Sequence, residues 1–181
     1  MFVRMMETDN PAVRLLKPDI ERDAPLGVEW LRGDIGRNTL QLMGVSPEQN
    51  EPTILEQETQ RVAGFIERQD QLNWMIEHDG RVVGTIWVDL EPTESVPAPA
   101  IHIMIGDSNV RGKGVGTSAT ARVVEYLEKQ GNENIYSRYL TKNHIAKSLL
   151  GRLGFELYNE PYSDKDGLEW QNVKKQSSDR H

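Results

Sequence analysis

Short apolar-rich runs and helical spacings alternate along this chain. The runs at 13–17 (VRLLK), 72–77, 82–89, 100–105 (AIHIMI) and 134–140 predict strands. Ile20, Ala24 and Val28 repeat at i, i+4 after Pro18-Asp19 and predict a helix over 19–32. Leu55, Val62, Phe65 and Ile66 predict a second over 54–69, on one shared face. A third, over 116–129, turns Thr120, Val123, Val124 and Leu127 inward. A fourth, over 143–153, carries Ile145, Ala146, Leu149, Leu150 and Leu153, and Gly154 stops it.

The segments between them are equally informative. Asp79-Gly80, between two apolar runs, predicts a tight hairpin. The loop 91–99 holds Pro92, Pro97 and Pro99 and cannot continue a strand. The stretch 33–53 is rich in Gly, Pro, Asn and Gln and predicts no element. Runs at 155–158 and 168–173 predict a last strand pair, and 174–181 reads as a disordered tail. Together these give one α/β domain over residues 1–181, with its core at about 12–173.

Composition narrows the chemistry. The chain has no cysteine, so disulfides, thiolate metal sites and a cysteine nucleophile are excluded. A net charge of −7 argues against a nucleic-acid partner, and suits either an amine substrate or a solubilising surface. No apolar run approaches the length of a membrane span, and the start MFVRMMETDN lacks the apolar core of a secretory signal. The expectation is a cytoplasmic protein, a monomer or homodimer, with no membrane association and no metal.

The most telling segment joins the strand at 100–105 to the helix at 116–129. It contains Arg111-Gly112-Lys113-Gly114-Val115-Gly116-Thr117. Three alternate glycines let a backbone approach a bulky anion, while the helix start and two cations attract it. The loop therefore predicts a phosphate site. A Walker loop has four residues before its Gly-Lys and then Ser or Thr; here five separate Gly106 from Gly112-Lys113, and Gly114 follows. A dinucleotide fingerprint would place the third glycine one residue later.

Arg111-x-x-Gly114-x-Gly116 resembles the Q/R-x-x-G-x-G/A loop of the GNAT acetyltransferases. Asn143-x-x-Ala146, Leu149-Leu150 and Gly154-Phe155 are similar to that family's N-x-x-A…G-F segment. The resemblance covers roughly 12–173 in element order and is motif-specific over 100–155. It implies a GNAT fold: a central mixed, mostly antiparallel sheet of six to seven strands flanked by about four helices. It also implies acetyl-CoA as co-substrate, with the pyrophosphate on Arg111, Gly112, Lys113, Gly114, Val115, Gly116 and Thr117. The pantetheine amides would pair with Ile103, Met104 and Ile105, and Asn143 would hydrogen-bond the CoA arm or simply cap its helix.

The resemblance sets the catalytic expectations too. The family often has a tyrosine acid where this chain has Leu150, so the acid is missing; Ser148 is the substitute candidate, with Tyr136 and Tyr139 as other donors. In the strand, His102 alternates with the isoleucines and falls on the other face, where the family's substrates sit. It is the candidate base, against a structural histidine; Asp89, Glu91 and Asp107 are fallbacks. Glu29, Trp30, Asp34 and Glu94 are candidates for an acidic amine pocket, with Trp30 as plain core the alternative. The segment 101–117 resembles aminoglycoside 6′-N-acetyltransferases and favours a small polyamine or aminosugar. The missing tyrosine favours an N-terminal acetyltransferase of ribosomal proteins. A non-catalytic acyl-CoA-binding module is the third reading.

Overall fold

The computed structural model describes residues 3–46 and 52–177. In chain order the elements are β1 (Met6–Glu7), β2 (Val13–Leu16), α1 (Ile20–Trp30), α2 (Gly33–Leu42), α3 (Leu55–Glu67), β3 (Gln71–His78), β4 (Arg81–Asp89) and β5 (Ala100–Ile105). A 3₁₀ turn at Ser108–Val110 precedes α4 (Val115–Lys129), β6 (Asn134–Leu140), α5 (His144–Arg152), β7 (Glu156–Leu157), β8 (Tyr162–Ser163) and β9 (Glu169–Gln176). One sheet runs β1-β2-β3-β4-β5-β6-β9-β7, with β8 also on β9. Every pairing is antiparallel except β5 with β6. This is the mixed, mostly antiparallel sheet that the sequence implies, widened by the two-residue strands β1, β7 and β8.

Local sequence explains the boundaries. Asp79 (φ 49°) and Gly80 (φ 78°) are both left-handed, the geometry a two-residue hairpin needs between β3 and β4. The Asp19 side chain caps α1 by accepting from Arg22 N at 2.9 Å, and Asp23 answers by accepting from Asp19 N at 2.7 Å.

The sheet buries two faces. Ile86, Ile101, Ile135 and Val173 pack with Val115, Ala119, Val123 and Leu127 of α4, and with Leu150 of α5. On the other face Trp30 of α1 packs with Met75, Val82 and Met104.

Three expectations are corrected. The stretch 33–53 contains α2, although two of its ten residues are glycines. Gly36 is there because a Cβ would lie 2.1 Å from the backbone of Leu31, so close packing rather than flexibility selects it. Along α3 the buried stripe is Glu58 and Val62, while Leu55 (54% exposed) and Ile66 (38%) face outward. Glu58 lies against Gly27 of α1 and pairs with Arg61, so a polar contact replaces the expected apolar one. Lys174, Lys175 and Gln176 continue β9 in register with β6; the remainder of the expected tail past residue 177 lies outside the described residues.

Candidate active site

The site begins where two strands part. β5 and β6 are parallel and share one rung, Ala100 with Tyr136, marked by Tyr136 N donating to Pro99 O at 2.9 Å. The next rung of a regular ladder would send Arg138 N–H to the carbonyl of Ile101. Instead that carbonyl accepts from the buried Ser137 hydroxyl at 2.7 Å. Beyond it the strands diverge. Backbone groups of β5 alternate in direction: Gly106 N turns to Val83 of β4 at 2.9 Å, and the odd-numbered residues turn toward β6. Ile103 and Ile105 therefore direct their N–H groups into the opening. The Ile105 carbonyl is already used, accepting from Arg111 Nη2 at 2.9 Å and Nε at 3.2 Å.

At the end of β5 lies the glycine loop. Gly112 (φ 75°) and Gly114 (φ 78°) are left-handed, and a Cβ on either would meet no atom within 4 Å. Gly114 caps α4 without a side-chain hydrogen bond, and the first N–H returned within the helix is Ser118 to Gly114 O at 3.0 Å. The amides of Val115, Gly116 and Thr117 thus have no intrahelical acceptor, and they sit at the positive end of a fifteen-residue helix. A Cβ on Gly116 would approach Leu149 Cδ1 to 3.1 Å and Ile103 Cδ1 to 3.6 Å, so Gly116 allows α4, α5 and β5 to close together.

The two loop cations differ in what they do. Lys113 is exposed, with no ion pair among the described residues. Arg111 is half-buried, and its Nη2 also donates to Thr39 Oγ1 of α2 at 2.8 Å. Its guanidinium ties loop, strand and α2 together. Both acceptors are neutral, so Arg111 keeps its full charge beside the loop as Lys113 does. The brace to Thr39 has no local signal in the sequence, because it runs through α2, whose glycines read as loop.

On the α1 face of the sheet a polar row crosses three strands. His102 pairs across β4 with Trp87, and Trp87 with Asn73 of β3. The His102 ring stacks on Trp87 with centroids 5.4 Å apart and planes 26° apart. Its Nε2 lies 2.9 Å from Asp89 Oδ2, and Asp89 Oδ1 accepts from Gln71 Nε2 at 2.6 Å. Burial pushes the Asp89 pKa up, but the hydrogen bond and charge of His102, then Gln71 and Arg68, outweigh it, and the carboxyl lies below its usual range. With Nε2–H given to Asp89, Nδ1 is the nitrogen that keeps a lone pair. Asp89 therefore stands as the partner of His102.

The other candidates are spread more widely. Ser148 is exposed on α5, and Leu150 is core. Tyr139 is buried in the α4 face, and burial raises its pKa; Tyr136 lies edge-on to Tyr158, with burial again raising its pKa. Asn143 caps α5, its Oδ1 accepting from Ala146 N at 3.1 Å. Asp107 caps the 3₁₀ turn through Asn109 N, and Glu91 is exposed. Of the candidates for an acidic amine pocket, Trp30 is core against Gly106, Glu29 and Glu94 are exposed, and Asp34 is exposed and paired with Arg37. No group of three or more potential metal ligands occurs among the described residues. None of the described helices is long and apolar enough to cross a membrane.

Comparison with known proteins places the fold in a family. Residues 14–156 match the family model of the acetyltransferase (GNAT) domain. An uncharacterised N-acetyltransferase of Methanocaldococcus jannaschii is 27% identical over 95 residues, which is 51% of this chain and 42% of that protein. The chain thus matches less than half the length of that relative. Among solved structures, the ribosomal L7/L12 α-N-protein acetyltransferase RimL in complex with coenzyme A superposes with a TM-score of 0.75 at 15% identity, covering 94% of this chain and 98% of that one. The microcin C7 self-immunity acetyltransferase MccE, in complex with acetyl-CoA and AMP, superposes with a TM-score of 0.73 at 15% identity, covering 93% and 94%.

Proposed function

The chain belongs to the GNAT acetyltransferase family, and on that premise we propose that it transfers the acetyl group of acetyl-CoA to a primary amine of a small molecule. The observation that carries this is the opened β5–β6 pair leading to a glycine loop whose helix amides are free. The free N–H groups of β5 and the amides of 112–117 supply a continuous track of donors for pantetheine and pyrophosphate. Lys113 adds charge at the anion end, and Asn143 serves the CoA arm as well as its helix.

The reaction then asks little of the side chains. His102 takes the amine proton at Nδ1, while Asp89 holds Nε2–H and favours the imidazolium that forms. The neutral amine attacks the thioester carbonyl, and a free N–H of β5 receives the developing oxyanion. The tetrahedral species passes its remaining extra N–H proton to water as it collapses, the acetyl group stays on nitrogen as a neutral amide, and CoA leaves as thiolate. An ordinary thiol pKa is about 8.5, so the thiolate leaves without a dedicated acid or with help from Ser148.

A polyamine or aminosugar, the acceptor the sequence favours, would draw on acidic side chains, and of the candidates Asp34 is already paired with Arg37 while Glu29 and Glu94 are exposed. The amine is therefore proposed here without polycation character. An N-terminal amine of a protein is the second reading, favoured by Leu150 in place of the tyrosine and by the likeness to RimL. A steady-state assay of CoA release with a panel of small amines and peptides tests both. Acetylation of small amines is expected, with kcat/KM falling ~10²–10⁴-fold in His102→Ala. Peptides alone as acceptors would select the second reading. Acetyl-CoA binding without transfer to any acceptor would leave a binding module.

A further inference from the structure

Resting on that transfer reading, we infer that the acceptor carries an anion, a carboxylate or a phosphate, close to its amine, and that Arg138 reads it. The placement follows from the last shared rung. Ala100 and Tyr136 are partners, and the strands part just beyond them, so His102 and Arg138, each two residues on, flank the start of the opening from either strand. Residues two apart share a sheet face. The candidate base and a guanidinium thus occupy opposite walls of one opening, on its acceptor side.

Arg138 is prepared for this role. Its guanidinium lies 4.0 Å from the ring centroid of Trp170. Trp170 is itself fixed, since its Nε1 donates to Asp164 Oδ2 at 2.8 Å and a Cβ on Gly44 would come within 2.4 Å of its ring. Nη1 donates to the Tyr162 hydroxyl at 3.3 Å; that hydroxyl donates to Asn172 Oδ1 at 3.0 Å, and Asn172 Nδ2 donates to Ser95 O at 2.6 Å. Ring, hydroxyl and amide therefore hold the fork from behind and from one side. No carboxylate pairs with it among the described residues. The near acid, Asp164, spends its oxygens on Trp170 Nε1 and the amides of Asp166 and Leu168, and Asp89 is taken by His102. A stacked, half-buried guanidinium with free N–H groups is suited to two-point binding of a carboxylate or phosphate. It would repel a polycation.

The test uses two matched pairs of amines on the full-length protein: serinamide against serine, and ethanolamine against phosphoethanolamine. The wild type should favour the anionic member of at least one pair by about tenfold or more in kcat/KM, and which pair responds separates carboxylate from phosphate. Arg138→Gln should bring that ratio to about one, leaving the neutral amine and the KM for acetyl-CoA unchanged. Should Arg138→Gln lose its fold by circular dichroism, Arg138→Lys carries the test: charge without the fork should lower the ratio several-fold. A wild-type ratio near one, or a preference that survives in the variant, overturns this inference and leaves acetyl transfer standing. Loss of both members in equal proportion makes Arg138 structural and overturns it too. Failure of acetyl-CoA to bind removes the transfer reading, and this inference with it.

Discussion

The hydroxyl of Ser137 donates to the carbonyl of Ile101 at 2.7 Å and occupies the acceptor that the next β5–β6 rung would use. The parallel ladder ends there after a single pair, with one small buried hydroxyl standing in for its next bond. The strands part at the residue before His102, so the opening and the candidate base share one origin. A sheet continuous at this point would bury the N–H groups of Ile103 and Ile105 in its own ladder.

Gly114→Ala separates conformation from contact. Gly114 and Gly80 share a φ of 78°, and a Cβ on either meets nothing within 4 Å. Each alanine variant should therefore lose about 1–2 kcal/mol from the left-handed backbone alone. Only Gly114→Ala should weaken acetyl-CoA binding, by tenfold or more, because its new methyl lies where the pyrophosphate must approach. Paired urea unfolding and binding titrations check this, and equal affinities in the two variants would take the loop out of the site.

Thr39→Val keeps the shape of a buried residue and removes the acceptor for Arg111 Nη2. The variant, which also loses the Thr39 hydroxyl's bond to Ile35 O, should lose about 1.5–3 kcal/mol in urea unfolding, the range for a hydrogen bond to a charged group. Acetyl-CoA affinity should fall as well, since the brace on the loop is loosened. Full stability with normal affinity would show that Arg111 needs only Ile105.

Much of this arrangement was legible in the residues, and the rest had physical reasons to be hidden. Asp79-Gly80, Pro18-Asp19 and Asn143 act locally, and each stands where its chemistry says. The alternation in Ala100–Ile105 assigned both faces of β5, and the loop spacing pointed to an anion. The brace from Arg111 to Thr39 joins residues 72 apart in sequence, through a helix whose glycines resemble a loop. Asp89 was legible as an acid but not as the partner of His102, because that pairing depends on the diagonal register of β4 on β5. Trp170 beneath Arg138 needs the β6–β9 register, which no local pattern encodes.

Asp89 gives a pH signature. Its folded pKa is lowered, so its contribution to stability is present above the ordinary aspartate value near 3.9 and is lost as pH falls through the folded value. The stability difference between wild type and Asp89→Asn should therefore narrow as pH falls from about 5 toward 2. Urea unfolding across that range measures it. A difference that widens in acid would mean the carboxylate is not held by His102 and Gln71.

Ser148→Ala should reduce kcat by less than tenfold, because Ser148 is exposed and a thiol of pKa near 8.5 leaves unaided at neutral pH. Its kcat–pH profile should match the wild type. A fall of ~10²–10⁴ would instead assign Ser148 general acid work.

Calorimetric titration of the folded protein with acetyl-CoA is the decisive measurement. Binding should saturate at one site per chain, with a melting temperature that rises with acetyl-CoA concentration and far less response to ATP or NAD. No heat and no shift at millimolar acetyl-CoA, or an equal response to ATP, would contradict it.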